Sequence, residues 1–169
     1  MPKKLLFVLS LFVAGCSKNN GSTTAYINFA DGTTQQNYVV TASNASLVNN
    51  LYLLTIAATS TSGANGNIVL NLAAPQPYTT GEVFSNAYVS GTTTTQALVE
   101  YVPNMSISIE YISLPLQDSV SRVVVKLTSV TSNAIQGTFT ATLVNRTDTT
   151  TVASTITSGQ FYAPFAPPQ

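Results

Sequence analysis

Histidine and tryptophan are absent from this chain of 169 residues, and cysteine occurs once, at Cys16. Without histidine, Ser-His-Asp and Cys-His catalysis and the usual zinc sites are excluded. A single cysteine also excludes a disulfide within the chain. The sequence contains no glycine-rich phosphate loop, dinucleotide-binding fingerprint or EF-hand spacing. We therefore expect no catalytic histidine or cysteine, no metal site and no cofactor, which leaves acid–base chemistry by carboxylates as the remaining catalytic route.

Charged residues are also scarce. They make up 7% of the sequence, whereas an average soluble domain has about 25%. Threonine, serine, asparagine and glutamine carry the solvation instead. Such a weak electrostatic field does not attract the phosphate backbone of a nucleic acid, so we expect no nucleic acid among the partners.

The beginning of the chain has the pattern of an export signal. Lys3 and Lys4 precede a nearly unbroken apolar run over residues 5–13, and small residues follow it. A basic start, a short apolar run and a small-residue exit are typical of a secretory signal peptide. Because a membrane-spanning helix needs about 20 apolar residues, this run is too short to remain as a helical anchor. We expect residues 1–15 to be a cleaved signal peptide.

The sequence Val-Ala-Gly-Cys at residues 13–16 resembles the lipobox of bacterial lipoproteins. The resemblance implies that the Cys16 thiol receives a diacylglycerol and that cleavage occurs just before it. One acyl chain holds a protein marginally, and two or more anchor it durably. The alternative is an ordinary signal peptide followed by a free thiol. We expect residues 16–24, which are mostly polar, to form a flexible tether. The lipid on Cys16 is the expected contact with the membrane.

The lipobox resemblance also suggests a location. We expect a lipid-anchored protein of the outer membrane, and Ser17 after the cysteine agrees with outer-membrane sorting by analogy with enteric lipoproteins. The acidic stretch that marks many Bacteroidetes lipoproteins for the cell surface is absent from the tether. The periplasmic and the surface-facing side of the membrane therefore both remain open.

Beyond the tether, the dominant apolar period is two, which is typical of half-buried strands. Turn residues separate these runs at intervals of about 8–12 residues, as in antiparallel sandwiches and barrels. We expect an all-β domain over residues 25–165, a single antiparallel β-sandwich or partly open barrel of about 8–10 strands, with a tail over residues 166–169. At most a short helical turn is expected over residues 43–50. The predicted strands cover residues 26–29, 38–42, 51–58, 67–72, 84–89, 97–102, 105–111, 123–128, 138–143, 152–156 and 160–162.

A second resemblance lies near the end of the chain. Residues 137–139 read Gly-Thr-Phe, and residues 156–161 read Ile-Thr-Ser-Gly-Gln-Phe. These segments resemble the ending of small Bacteroidetes outer-membrane lipoproteins that form a domain-of-unknown-function family. The resemblance implies a fold and an address for the chain, and it implies no activity.

Two glutamates are the candidates for carboxylate chemistry. If residues 97–102 and 105–112 form a hairpin that pairs Tyr101 with Ile109, Glu100 and Glu110 lie directly opposite each other, with Cβ atoms about 5 Å apart. Such a like-charge pair requires a cation or a raised pKa, as in a retaining glycosidase. The alternative is a different register that separates two solvated carboxylates.

The remaining candidates concern binding and modification. Tyr78 and Tyr88, near the proline-rich turn at residues 75–77, or Tyr26 and Tyr38, near strand starts, could form a small platform for a glycan, although such tyrosines more often belong to the core or its rim. Ser119 and Thr149 follow aspartates in a short pattern that Bacteroidetes use for O-glycosylation. We expect a non-catalytic envelope component with an unidentified protein or glycan partner. A glycan- or small-ligand-binding accessory protein is the first alternative and a carboxylate-dependent glycosidase is the second.

Overall fold

The structure is a computed structural model that describes residues 24–61, 66–86, 96–107, 109–114 and 120–168. The described residues form ten strands and one short 3₁₀ helix, with no α-helix, so the predicted all-β class and strand number are confirmed. In chain order the elements are β1 (Tyr26–Asp31), β2 (Thr34–Val48), β3 (Leu51–Ser60), β4 (Asn67–Ala74), β5 (Val83–Ser85), β6 (Gln96–Val102), the 3₁₀ helix (Met105–Ile107), β7 (Tyr111–Ile112), β8 (Arg122–Val130), β9 (Ala134–Asn145) and β10 (Asp148–Pro164).

All ten strands belong to one sheet, which closes on itself. Neighbouring strands follow the order β10-β1-β2-β3-β4-β6-β5-β8-β9, and β10 pairs with β9 as well as with β1. The short strand β7 pairs with both β6 and β9. The pairings are antiparallel except for one parallel contact between Ser85 of β5 and Gln96 of β6, which differs from the purely antiparallel sheet that we expected. We call this arrangement the closed sheet.

The closed sheet has two ends that differ in what they carry. Strand β1 begins and strand β10 ends at one of them, which we call the termini end. The turns that join β1 to β2 and β9 to β10 lie at the other, which we call the opposite end. Since Tyr26 pairs with Val39, the remainder of β2 runs past the start of β1. Residues 43–48 of β2 therefore pair with β3 alone, and β3 in turn pairs with β4 as far as Tyr52 opposite Ala74.

Strand β2 is longer than the sequence indicates. Residues 43–48 pair with β3, from Ser43 opposite Ile56 to Val48 opposite Leu51, so the short helical turn predicted over residues 43–50 is wrong. Asn49 and Asn50 adopt φ angles of 50° and 62°. Two successive residues with positive φ form the tight turn whose twist matches the flanking strands, and asparagine tolerates that conformation. Pairing with β3 and the asparagine turn thus determine that residues 43–50 belong to a hairpin rather than to a helical turn.

The strand predicted over residues 105–111 is wrong for most of its length. Residues 105–107 form the 3₁₀ helix, and only Tyr111 and its neighbour pair with β6 as β7. The Asn104 side-chain oxygen accepts the Ser106 N–H at 2.9 Å, which gives the backbone a local partner in place of a strand. Met105 is 55% exposed.

The interior of the closed sheet holds one apolar cluster. Phe29 lies near its centre, with ring-centroid distances of 5.2 Å to Tyr101, 5.4 Å to Tyr38 and 6.3 Å to Phe139. Every described strand except β7 contributes inward side chains to the cluster, and they alternate with outward ones as the period of two predicts. Buried aliphatic side chains from β3, β4 and β8 complete it: Leu54, Ile56, Ile68, Leu70, Leu72, Val123, Val125 and Leu127.

Two glycine–phenylalanine pairs join β9 to β10. Gly137 pairs with Phe161, and Gly159 pairs with Phe139, so each ring lies over the glycine of the other strand. A Cβ atom at Gly137 would lie 2.5 Å from the Phe161 ring, and one at Gly159 would overlap the Phe139 ring. These four residues lie within the two segments, residues 137–139 and 156–161, on which the resemblance near the end of the chain was based. Their spacing is therefore explained by ring packing on the inner face of the sheet.

We predict that Gly159→Ala lowers the free energy of unfolding by about 1–3 kcal/mol, because the added methyl group overlaps a ring that the core holds in place. Ser158→Ala is the control, since its side chain is exposed and such changes usually stay within about 0.5 kcal/mol. Urea unfolding measures both variants. If the ring is the obstacle, Phe139→Leu combined with Gly159→Ala costs less than the two single changes added together. Equal stability of the Gly159→Ala and Ser158→Ala variants would contradict this packing.

Candidate functional site

The two candidate carboxylates do not face each other across a hairpin. Strand β6 pairs Tyr101 with Tyr111, and Glu100 consequently lies opposite Ile112. The pairing of Tyr101 with Ile109, which would have set Glu100 against Glu110, is not formed. The register therefore separates the two glutamates, which is the alternative that the sequence left open.

Glu110 has a cationic partner instead. The Arg146 Nη1 atom donates to Glu110 Oε2 at 2.9 Å, and the Arg146 backbone N–H donates to the Glu110 carbonyl oxygen at 3.1 Å. The side chains are 59% and 27% exposed, so the pair contributes at most about 1 kcal/mol. It links the segment before β7 to the β9–β10 turn at the opposite end.

Tyr78 lies in the wall of the termini end with a bonded hydroxyl group. Its side chain is 6% exposed, and the hydroxyl lies 2.8 Å from the Tyr52 carbonyl oxygen and 3.0 Å from the Leu72 carbonyl oxygen. Burial, with a smaller contribution from Glu82, raises the pKa of Tyr78 well above its ordinary value. The Phe165 ring packs against it at a centroid distance of 6.0 Å. Tyr78 is thus buried among other rings, and Tyr88 lies outside the described residues.

A cavity of about 380 Å³ opens beside Tyr78 at the termini end. Rings dominate its lining, and no charged side chain is among the described residues that border it. Its chemistry suits an apolar or aromatic surface rather than an ion. The ring-bearing residues that line it are Tyr52, Pro77, Tyr78, Phe165, Pro167 and Pro168.

A buried polar cluster closes the sheet between β6 and β8. The Asn86 amide nitrogen donates to the Leu114 carbonyl oxygen at 3.1 Å, and its side-chain oxygen accepts the Val123 N–H at 3.0 Å. The Ser121 hydroxyl oxygen accepts the Leu114 N–H at 3.1 Å, and the Ser113 hydroxyl oxygen accepts the Val99 N–H at 2.7 Å. The polar side chains of this cluster are therefore bonded to the protein's own backbone. No sequence pattern indicates this cluster, because its members are far apart along the chain.

A second polar cluster lies at the opposite end, at the edge of the aromatic core. The Ser154 hydroxyl donates to Asp31 Oδ1 at 2.7 Å. The hydroxyl groups of Tyr38 and Tyr101 interact with each other, and that of Tyr101 also interacts with the Asp31 carboxylate. Burial first, and then the nearby Tyr38 and Asp31, raise the pKa of Tyr101. The carboxylate is therefore held by hydroxyl donors, a constellation that no sequence motif indicated.

Of the two predicted glycosylation sites, Thr149 lies among the described residues. Thr149 is the half-buried second residue of β10. The neighbouring Asp148 Oδ1 accepts the Thr150 hydroxyl at 2.7 Å and the Thr150 N–H at 3.0 Å, and these bonds lower the pKa of Asp148. Glycosylation of Thr149 stays a prediction. Ser119 and Cys16 lie outside the described residues.

Two features are absent from the described part of the chain. Within it, no three histidine, cysteine, aspartate or glutamate side chains lie close enough to hold a metal ion together. The same residues include no helix that is long and apolar enough to cross a membrane.

None of the protein-family models, curated proteins or solved structures compared with this chain matches it.

The three buried tyrosines predict a loss of stability in alkali. Burial raises the pKa values of Tyr38, Tyr78 and Tyr101 above the ordinary value of about 10. The unfolded chain therefore loses these protons first as the pH rises. The contribution of each such tyrosine to stability is retained below pH 10 and falls above it by up to about 1.4 kcal/mol per pH unit, until the pH passes the pKa of that tyrosine in the folded protein.

Urea unfolding between pH 9 and pH 11 measures this slope. Tyr101→Phe should make the slope shallower by the share of one tyrosine. Phe139→Leu serves as the control, because it changes the core without removing an ionisable group and should leave the slope unchanged. An unaltered slope in the Tyr101→Phe variant would count against the burial argument.

Proposed function

We propose that this chain is a non-catalytic, lipid-anchored protein of the cell envelope, held at the outer membrane by acyl chains on Cys16. The observation that carries the proposal is the position of its one cysteine, directly after a basic start and a short apolar run. Thiol acylation at that point gives a folded β-domain a durable membrane contact when two or more chains are attached. The side of the membrane that it faces is left open.

The non-catalytic part of the proposal is supported by how the candidate acid–base groups are engaged. Glu110 is bonded to Arg146, and Asp31 accepts the Ser154 hydroxyl. Glu100 lies opposite Ile112 rather than opposite a second carboxylate. A retaining glycosidase requires two carboxyl groups about 5 Å apart across a substrate, and this register does not favour that arrangement.

We also propose that this chain belongs to the group of small Bacteroidetes lipoproteins that its sequence resembles. The two glycine–phenylalanine pairs supply a physical reason for the shared spacing, because they permit β9 and β10 to pack closely. On this basis the shared segments serve the packing of β9 against β10. The domain then binds its partner through residues outside these segments.

Capture of a glycan or another small ligand is the second candidate function. The cavity at the termini end favours it, because Tyr52 and Tyr78 both border that cavity and tyrosine rings can pack against sugar faces. Thermal-shift screening of the soluble Cys16→Ser protein against glycans tests this candidate. A shift that disappears in the Tyr52→Ala variant would support it, and no shift with any glycan would remove it.

The lipid anchor predicts a specific loss. In a Gram-negative host that processes lipoproteins, the full chain should incorporate labelled palmitate and sediment with the outer membrane. Cys16→Ser should abolish both, because the hydroxyl does not replace the thiol as the acylated nucleophile. Ser22→Ala changes another tether residue and should leave both unchanged.

Intact-mass analysis of the purified mature protein provides an independent measurement. We expect a chain that begins at Cys16 and carries the added mass of the lipid. A mature chain with an unmodified cysteine would contradict the proposed anchor.

A further inference from the structure

Two tyrosines lie side by side on the outer face of the closed sheet. Tyr26 of β1 pairs with Tyr162 of β10, and their ring centroids are 6.3 Å apart with an interplanar angle of 30°. The residues next to them along the chain, Ile27, Phe161 and Ala163, are buried, so the two tyrosine side chains point outward. Neither tyrosine is among the described residues that line the cavity at the termini end. We call these two stacked rings the tyrosine pair.

The partner of Tyr26 differs from the one that the sequence suggests. Tyr38 is 2% exposed and belongs to the aromatic core, so Tyr26 and Tyr38 do not form an exposed platform. Because Tyr38 pairs with Ile27, its side chain points inward as the Ile27 side chain does. The ring that lies beside Tyr26 on the outer face comes instead from Tyr162 of β10.

Amide side chains lie beside the tyrosine pair on the same face. Gln136 of β9 is opposite Tyr162, Asn28 follows Tyr26 by two residues on β1, and Asn37 of β2 is opposite Asn28. Each amide can donate two hydrogen bonds and accept others. Among the described residues, no other group is hydrogen-bonded to these three side-chain amides. Their donors and acceptors are therefore open to a ligand that lies across the two rings.

Four adjacent strands carry no charge on this face. Residues 26–30, 34–48, 134–145 and 149–164 contain no aspartate, glutamate, lysine or arginine. A polymer of phosphates or carboxylates would find no cation to bind there. Val39, opposite Tyr26, is 36% exposed, and one such side chain does not make the contiguous apolar patch of a protein interface. The occupant that fits is an uncharged molecule with apolar ring faces and many hydroxyl groups.

We propose that the tyrosine pair binds a neutral oligosaccharide or polysaccharide, with sugar rings against the tyrosine rings and sugar hydroxyls bonded to the flanking amides. Tyrosine suits this role because its ring is apolar and its hydroxyl is polar. Gln136, Tyr162, Tyr26 and Val39 lie on four neighbouring strands and span about 14 Å, which exceeds the width of one sugar ring. The residues of this site lie outside the segments 137–139 and 156–161.

This inference rests on the second candidate function, capture of a glycan, and assigns the glycan to the outer face rather than to the cavity. It does not depend on the lipid anchor.

Isothermal titration calorimetry of the soluble Cys16→Ser protein tests the proposal. The probes are hydroxyethyl cellulose, galactomannan and arabinoxylan, which are neutral, and polygalacturonate, which is charged. We expect at least one neutral polysaccharide to bind with an affinity that high salt leaves unchanged, because no ion pair contributes. Tyr26→Ala and Tyr162→Ala should each weaken this binding about tenfold, because each removes a stacked ring. Tyr162→Phe keeps the ring and should retain most of the affinity.

Tyr52→Ala is the matched control, because Tyr52 is a half-buried tyrosine that lines the cavity rather than the outer face. It should leave the affinity unchanged. Gln136→Ala covers the case in which the tyrosine variants do not fold, since the Gln136 side chain is exposed. Loss of its hydrogen bonds to the sugar should weaken binding about threefold.

Binding that is lost in the Tyr52→Ala variant and kept in Tyr26→Ala and Tyr162→Ala would overturn the inference and assign the glycan to the cavity. Absence of binding to every neutral polysaccharide would overturn both the inference and the glycan-capture function, and would leave the lipid anchor untouched. Binding of polygalacturonate alone would reject a neutral ligand. Self-association of the protein that Tyr162→Ala abolishes, without polysaccharide, would assign the tyrosine pair to a second copy of the chain and reject the glycan.

Discussion

Closure of the sheet through β10 is the constraint on which the rest of this structure depends. This strand of 17 residues pairs with β9 on one side and with β1 on the other. Phe139 and Phe161 can point into the interior there only because glycines stand opposite them. On the other side of the closed sheet, the short strands β5 and β7 and the hydrogen bonds of Asn86 complete the sheet. One side is therefore held by continuous pairing and the other by side chains that bond to backbone.

The sequence predicts those parts of the fold that depend only on which face of a strand each side chain occupies. Strands β4 and β8 alternate between buried and less buried positions, and the apolar period of two identifies both. The partner of each strand is a separate question. A shift of register by two residues preserves every face. Pairing of Tyr101 with Ile109 or with Tyr111 is therefore equally compatible with the sequence, and the relation of Glu100 to Glu110 could not be derived.

Local hydrogen bonding explains the two segments that the sequence pattern assigns incorrectly. Residues 105–111 alternate as regularly as any strand, yet the Asn104 side chain competes for the backbone at their start. Residues 43–48 lack a clear alternation, yet β3 supplies a complete pairing partner. Periodicity records the average environment of a segment. A single capping side chain or a strong neighbouring strand can outweigh it.

Scarcity of charge gives the two ends of the closed sheet different chemistry. Asp31, Glu110, Arg146 and Asp148 all lie at the opposite end, where turns join the strands. The termini end carries Glu82, whose pKa is raised by burial, among rings and aliphatic side chains. Most of the charged residues that the structure describes therefore lie toward the opposite end, whereas Glu82 and Lys126 lie away from it. The turn residues of the sequence, rather than its strands, thus determine where most of the charge is placed.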